Sequence, residues 1–183
     1  MAIFEKLNVK IKSNFDVLIR AAHFSDATAL FNLAKTGVNE DCFQLLTKDE
    51  FQLSVASEKA WIETYSGDPN KLIIVAEIDG TIVGQLDFTN GSNHRASHVG
   101  ELELLVKKEF RGQGVGQNLV MALISWASKN NDIEKIGLSV HSTNSRAIAL
   151  YEKTGFKIEG IQKNELKYEN GCYVDVLLMS RFV

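Results

Sequence analysis

The chain has 183 residues, 45% of them hydrophobic and 23% charged, with one proline and two cysteines; this is the profile of one folded domain and excludes disordered, collagen-like and disulfide-scaffold chains. Twenty Lys and Arg against 23 Asp and Glu leave a net charge of −3, so no overall basic field exists to hold a nucleic-acid backbone or an anionic membrane. Cys42 and Cys172 stand far apart without a C-x-x-C partner, which argues against a zinc site and for inert thiols in a reducing, cytoplasmic setting. The opening residues lack the apolar run of a signal peptide, and no stretch approaches the roughly 20 apolar residues that span a bilayer.

In chain order, residues 1–15 read as an N-terminal extension to a single domain over residues 16–183. Phe15 to Arg20 is a short β-rich run, and Ser25-Asp26 then open a helix carrying Ala27, Leu30, Phe31, Ala34 and Val38 at helical spacing. A second helix is expected from about Lys48 to Tyr65, stopped by Gly67-Asp68-Pro69-Asn70. Two β-branched runs, Leu72 to Ile78 and Thr81 to Phe88, flank Asp79-Gly80, the dipeptide of a type I′ hairpin. The strand from His98 to Val106 sets Glu101 and Glu103 on one face and Leu102, Leu104 and Val106 on the other. An amphipathic helix with Val115, Leu119, Leu123 and Trp126 on its apolar stripe follows, beginning in glycines. Ile136 to Val140 is a strand, Asn144 to Thr154 a helix ended by Gly155, and the tail forms two strands reversing at Glu169-Asn170-Gly171. This order predicts an α/β layer fold with a mixed sheet, in which ligands bind beyond the carboxyl ends of strands.

Attention therefore falls on the junction after Val106. From Arg111 to Gln117 the glycines Gly112, Gly114 and Gly116 alternate, leaving backbone N–H groups unshielded as a helix starts, which is an anion nest. A P-loop would need GK followed by Ser or Thr, and Gly116 is followed by Gln117-Asn118. The dinucleotide fingerprint lacks its third glycine and its acid, since the next strand ends in Val140-His141. Kinase elements are missing as well. A pyrophosphate site of another kind remains.

The run from Val106 through Arg111, Gly114 and Gly116 resembles the acetyl-CoA loop, Q/R-x-x-G-x-G/A, of the GCN5-related N-acetyltransferase (GNAT) superfamily. The segment Asn144 to Phe156 is similar to that superfamily's second motif. With the hairpin before and the closing strands after, the likeness covers residues 16–182, and Asp175 and Met179 look most like the branch of ribosomal-protein-alanine and phosphinothricin-type acetyltransferases. The resemblance implies an α/β GNAT fold, a mixed and mostly antiparallel sheet splayed at its fourth strand with helices on both faces. It also implies transfer of an acetyl group from acetyl-CoA to a primary amine, a peptide N-terminus or a small molecule, directly within a ternary complex and with no metal. Backbone groups of Leu104, Leu105 and Val106 would pair with the pantetheine, one N–H facing the thioester oxygen. Arg111, Gly112, Gln113, Gly114, Val115, Gly116 and Gln117 would take the pyrophosphate. Asn144 and Ala147 would line the pantetheine arm, and Tyr151 would give its proton to the departing sulfur. A homodimer is compatible with the resemblance; nucleic acid and membrane are not expected partners. The alternative is a non-catalytic acyl-CoA-binding or sensing module of the same fold.

The base is left between Glu101 and Glu103, with Glu101 preferred because similar enzymes often place an acid five residues before the Val106 position. His94, His98 and His141 fit no metal-ligand spacing, and Trp61 and Trp126 lie on apolar stripes. Residues 39–68 hold Glu40, Asp41, Asp49, Glu50, Glu58, Glu63 and Asp68 against Lys48 and Lys59, an excess that could draw a cationic amine.

Overall fold

A computed structural model of the chain describes residues 4–40 and 43–183; Asp41 and Cys42 lie outside the described residues. Its strands are β1 (Leu7–Lys10), β2 (Asp16–Ala21), β3 (Leu72–Ile78), β4 (Thr81–Asn90), β5 (Val99–Val106), β6 (Lys135–His141), β7 (Lys157–Lys167) and β8 (Tyr173–Phe182). Its helices are α1 (Ala27–Glu40), α2 (Val55–Gly67), α3 (Val115–Ala127) and α4 (Ser145–Lys153). The strands form one sheet in the order β1-β2-β3-β4-β5-β6-β8-β7, and only β5 and β6 run parallel. The α/β architecture with a splay at the strand carrying Glu101 and Glu103 is the one expected.

Central strand β3, LIIVAEI, is apolar on both faces because both faces are covered. Ile74 and Ala76 join Leu86, Phe88, Leu119 and Leu123 in the core beneath α3 and α4, while Ile73 and Val75 join Leu30, Leu33 and Ile62 beneath α1 and α2. Asp79 and Gly80 both have positive φ, 47° and 76°, as a type I′ turn requires. The outer strand β7 is studded with Lys157, Glu159, Lys163, Glu165 and Lys167 and broken by two register shifts, which blunts an exposed sheet edge.

Two boundaries differ from the sequence reading. The helix expected from Lys48 starts at Val55, because Ser54 and Ser57 cap it reciprocally: the Ser57 N–H donates to Ser54 Oγ at 3.1 Å and the Ser54 N–H to Ser57 Oγ at 2.8 Å. Before that cap, Phe51 turns back against Phe31, with ring centroids 5.9 Å apart. The N-terminal segment also contributes a strand, β1 pairing with β2 from Leu7–Ile19 to Lys10–Asp16.

The parallel pair is short. β5 and β6 share only Val99–Lys135, Gly100–Ile136 and Glu101–Gly137, after which β5 stays with β4 and β6 stays with β8. A wedge therefore opens between Leu102–Val106 and Leu138–His141.

Candidate active site

The wedge has unpaired backbone on its β5 side. The Lys107 N–H donates to the Val83 carbonyl at 2.9 Å and the Gly91 N–H to the Val99 carbonyl at 3.0 Å. With Gly84 opposite Val106 and Asn90 opposite Gly100, this fixes the alternation: Leu105 and Glu103 exchange hydrogen bonds with Gln85 and Asp87, while the backbone groups of Leu102, Leu104 and Val106 point into the wedge. Of the three residues expected to pair with a pantetheine chain, Leu104 and Val106 have backbone groups that face the wedge. Leu105 is bonded to β4, and its side chain lies under Gly37 of α1. The Val106 carbonyl accepts from Arg111 Nε at 2.8 Å, which folds the start of the glycine loop back onto the strand.

At the wide end of the wedge the chain turns into α3. Gly112 and Gly114 have φ of 75° and 107°, a region that L side chains rarely adopt. Among the described residues, the six consecutive N–H groups from Gly112 to Gln117 donate to no protein acceptor; the first to do so is that of Asn118, to the Gly114 carbonyl at 3.0 Å. Gly116 packs against Leu104 and Leu150, where an added Cβ would lie 3.3 and 3.4 Å from their methyl groups. The loop is braced from behind by the turn between β1 and β2: the Lys12 N–H donates to the Gln113 carbonyl at 3.0 Å and Ser13 Oγ to Gln113 Oε1 at 2.5 Å. Six N–H groups without a protein acceptor, at a helix N-terminus, are an arrangement suited to an anion.

Helix α4 borders the same wedge. Asn144 caps it, its Oδ1 accepting from the Ala147 N–H at 3.2 Å, a bond that uses the amide oxygen and not the Nδ2 donor. Tyr151 is buried, its ring 5.7 Å from Phe156. Burial, and then the charge of Glu103, push its phenol up to about 12, so the hydroxyl keeps its proton at neutral pH. No such influence of Glu101, which lies opposite Thr89, on Tyr151 is found.

From Gln85 onward the odd-numbered residues of β4, and those of β5 paired with them, face α1 and α2, which brings Gln85, Asp87, Glu101 and Glu103 to one surface. Sequence reasoning missed Asp87. It is 7% exposed and stands directly opposite Glu103; Glu58 of α2, 6% exposed, lies close enough to act on it. Burial pushes the Asp87 carboxyl up to about 8, Glu103 and Glu58 add to the rise, and its own backbone N–H opposes it. Glu58 is itself raised by burial. Tyr65 is raised first by burial and further by Asp87 and Glu103, so it borders the same surface. Of the acids noted between residues 39 and 68, Glu58 is the buried one among those whose side chains are described; Glu50 instead accepts from the N–H and hydroxyl of Thr47. His141 is held by Tyr168, Nδ1 to Oη at 3.0 Å, and by the edge of Phe43.

A raised carboxyl has a stability consequence. Asp87 binds its proton in the folded state over a range, from its ordinary value near 4 up to about 8, in which the unfolded chain has lost it. Its contribution is whole below that range and falls as pH rises through it, by up to about 1.4 kcal/mol per unit. Asp87→Asn removes the dependence. Urea unfolding at about pH 5 and about pH 8 should therefore show the variant gaining roughly 3 kcal/mol on the parent between the two; a constant difference would place Asp87 in contact with water.

The acetyltransferase (GNAT) family model matches residues 39–156, from the end of α1 through the wedge and glycine loop to the end of α4. The chain belongs to this family. An L-amino acid N-acetyltransferase of Escherichia coli K12 is 33% identical over 130 residues, 71% of this chain and 80% of that protein. A crystal structure of a GNAT-family acetyltransferase from Streptococcus pneumoniae superposes with a TM-score of 0.88 at 29% identity, covering 91% of this chain and 99% of that one. An acetyltransferase structure from Salmonella typhimurium, solved with its cofactor acetyl-CoA, shares the fold: TM-score 0.81, 20% identity, 91% and 93% of the two chains. This GNAT protein is accordingly an acyl-transferring enzyme. None of its described helices is long and apolar enough to cross a membrane.

Proposed function

We infer that the enzyme transfers an acetyl group from acetyl-CoA to a primary amine, directly and within a ternary complex. The observation that carries this reading is the continuity of open backbone: the Leu104 groups and the Val106 N–H along the wedge lead to six N–H donors at Gly112–Gln117. A pantetheine chain has amides to pair with the first, and its diphosphate suits the second. The neighbour from Salmonella typhimurium, which holds acetyl-CoA in the same fold, supports the choice of donor.

In this reading the backbone N–H of Leu104 or Val106 stabilises the oxyanion formed when the amine nitrogen attacks the thioester carbon. Collapse breaks the carbon–sulfur bond, and the thiolate takes the proton of Tyr151. The amine's own proton leaves through a carboxylate on the other side of the sheet. Glu103, whose charge acts on Tyr151, is better placed for that than Glu101. Tyr151 regains its proton from solvent, so a neutral amine gives an amide and a free thiol with no net proton, and an amine that enters as its ammonium releases one.

The test is a panel of primary amines incubated with acetyl-CoA and read by released thiol. Thiol release that depends on the amine, with intersecting double-reciprocal plots, is expected. Parallel plots would replace direct transfer by an acetylated enzyme, and tight acetyl-CoA binding without release to any amine would leave a binding module.

A further inference from the structure

We propose that Asp87 and Glu103 together receive the ammonium group of the acceptor, and that the acceptor is a cationic amine with no carboxylate beside its nitrogen. The inference rests on the transferase reading above and narrows its substrate class.

Asp87 and Glu103 are hydrogen-bonded partners across β4 and β5, which sets their Cβ atoms about 5 Å apart on one face. Asp87 is more than nine-tenths buried, yet among the described residues only its own backbone N–H serves it. A second observation on the same face is independent of the carboxylates: Gln85 Oε1, two residues before Asp87, is buried and accepts no hydrogen bond. Buried acceptors without donors are costly, and native proteins rarely keep them unless something else supplies the donor. The single O–H of a protonated Asp87 cannot serve Gln85, Glu103 and its own second oxygen together, whereas a group with several N–H donors and a positive charge can, and its charge displaces that proton. An alkylammonium has both. A metal ion fits poorly, because no group of three His, Cys, Asp or Glu among the described residues is arranged to hold one.

The same surface is hostile to a carboxylate. Glu103 and Glu58 from α2 bring carboxyl groups to it from two further elements, Asp87 gives up its proton once an ammonium charge is seated beside it, and Ile73, opposite Asp87 on β3, adds no charge. The cations nearby are engaged elsewhere. Arg20 binds Asp26 at 2.7 Å and Glu77 at 2.7 Å, and Lys71 lies over the Tyr65 ring, 3.8 Å from Asp68. A free amino acid would carry its carboxylate within a few ångströms of this cluster with no partner there. An amine whose neighbouring carbon bears hydrogen instead escapes that repulsion.

Matched pairs test this: agmatine against arginine, tyramine against tyrosine, phenethylamine against phenylalanine, each by kcat/KM at saturating acetyl-CoA. The decarboxylated member should be preferred by at least about tenfold in each pair. Asp87→Asn should shrink that preference and raise KM for the amine while acetyl-CoA affinity is unchanged, and Asp87→Glu should restore part of it. If Asp87→Asn does not fold, Glu103→Gln on the solvent-facing side of the same pair gives the same readout. Equal or better use of the amino acids, or a preference untouched in folded variants at both positions, overturns the proposal and leaves the transferase reading standing. Acetyl-CoA binding without transfer to any of the six overturns both.

Discussion

Gly114→Glu is expected to lower acetyl-CoA affinity by at least about a hundredfold while the sheet stays folded. Gly114 is the N-terminal cap of α3 at φ 107°, in the middle of the six undonated N–H groups. A Cβ there meets nothing closer than Asn118 Nδ2 at 3.9 Å, so the new side chain displaces ligand and not protein. The backbone strain is of order 1–3 kcal/mol. The added carboxylate sits where the diphosphate charge must, which costs more than the strain because both charges share one set of donors. Gly114→Ala separates the two, carrying the strain without the charge. Calorimetric titration with acetyl-CoA is the measurement; full affinity in a folded glutamate variant would detach the loop from the cofactor.

Tyr151→Phe is expected to lower kcat by about a hundredfold, the usual scale of one proton transfer. The phenyl ring keeps its packing against Phe156, so acetyl-CoA affinity and thermal stability should change little. Since the phenol stays protonated up to about pH 12, no basic limb of the parent's pH profile below pH 9 should belong to it. A kcat within about twofold of the parent would assign the sulfur's proton to water.

Most of the path to these residues is local. Asp79-Gly80 announces its turn by chemistry alone, and the alternating glycines before Val115 announce the anion seat, because the property that matters in both is conformational. The spacing of Asn144 and Tyr151 on one helix is equally readable. Asp87 is different. In TIVGQLDF it is one polar residue in an alternating strand, and alternation says only that it shares a face with Gln85. That this face is closed off depends on α2, whose Glu58 lies far upstream in the chain. The start of α2 itself was misplaced by seven residues because Lys48 to Ser54 have helical composition, whereas Ser54 and Ser57 form a stronger local stop. The role of Leu105 turned on a register of β4 and β5 that no single segment contains.

The wedge also bears on what can enter it. Leu102–Val106 and Leu138–His141 are two sheet edges with open backbone in the middle of the protein, the feature that elsewhere invites another chain to add a strand and seeds aggregation. Here the two edges are pinned together at Glu101 and Gly137, one ordinary strand spacing of about 4.8 Å, and diverge over only a few residues. An inserted polypeptide needs twice that spacing along its whole length and room for side chains on both faces. A thin thread without side chains needs neither. Narrowness at the hinge thus disfavours a further strand while leaving the open backbone to a thinner guest.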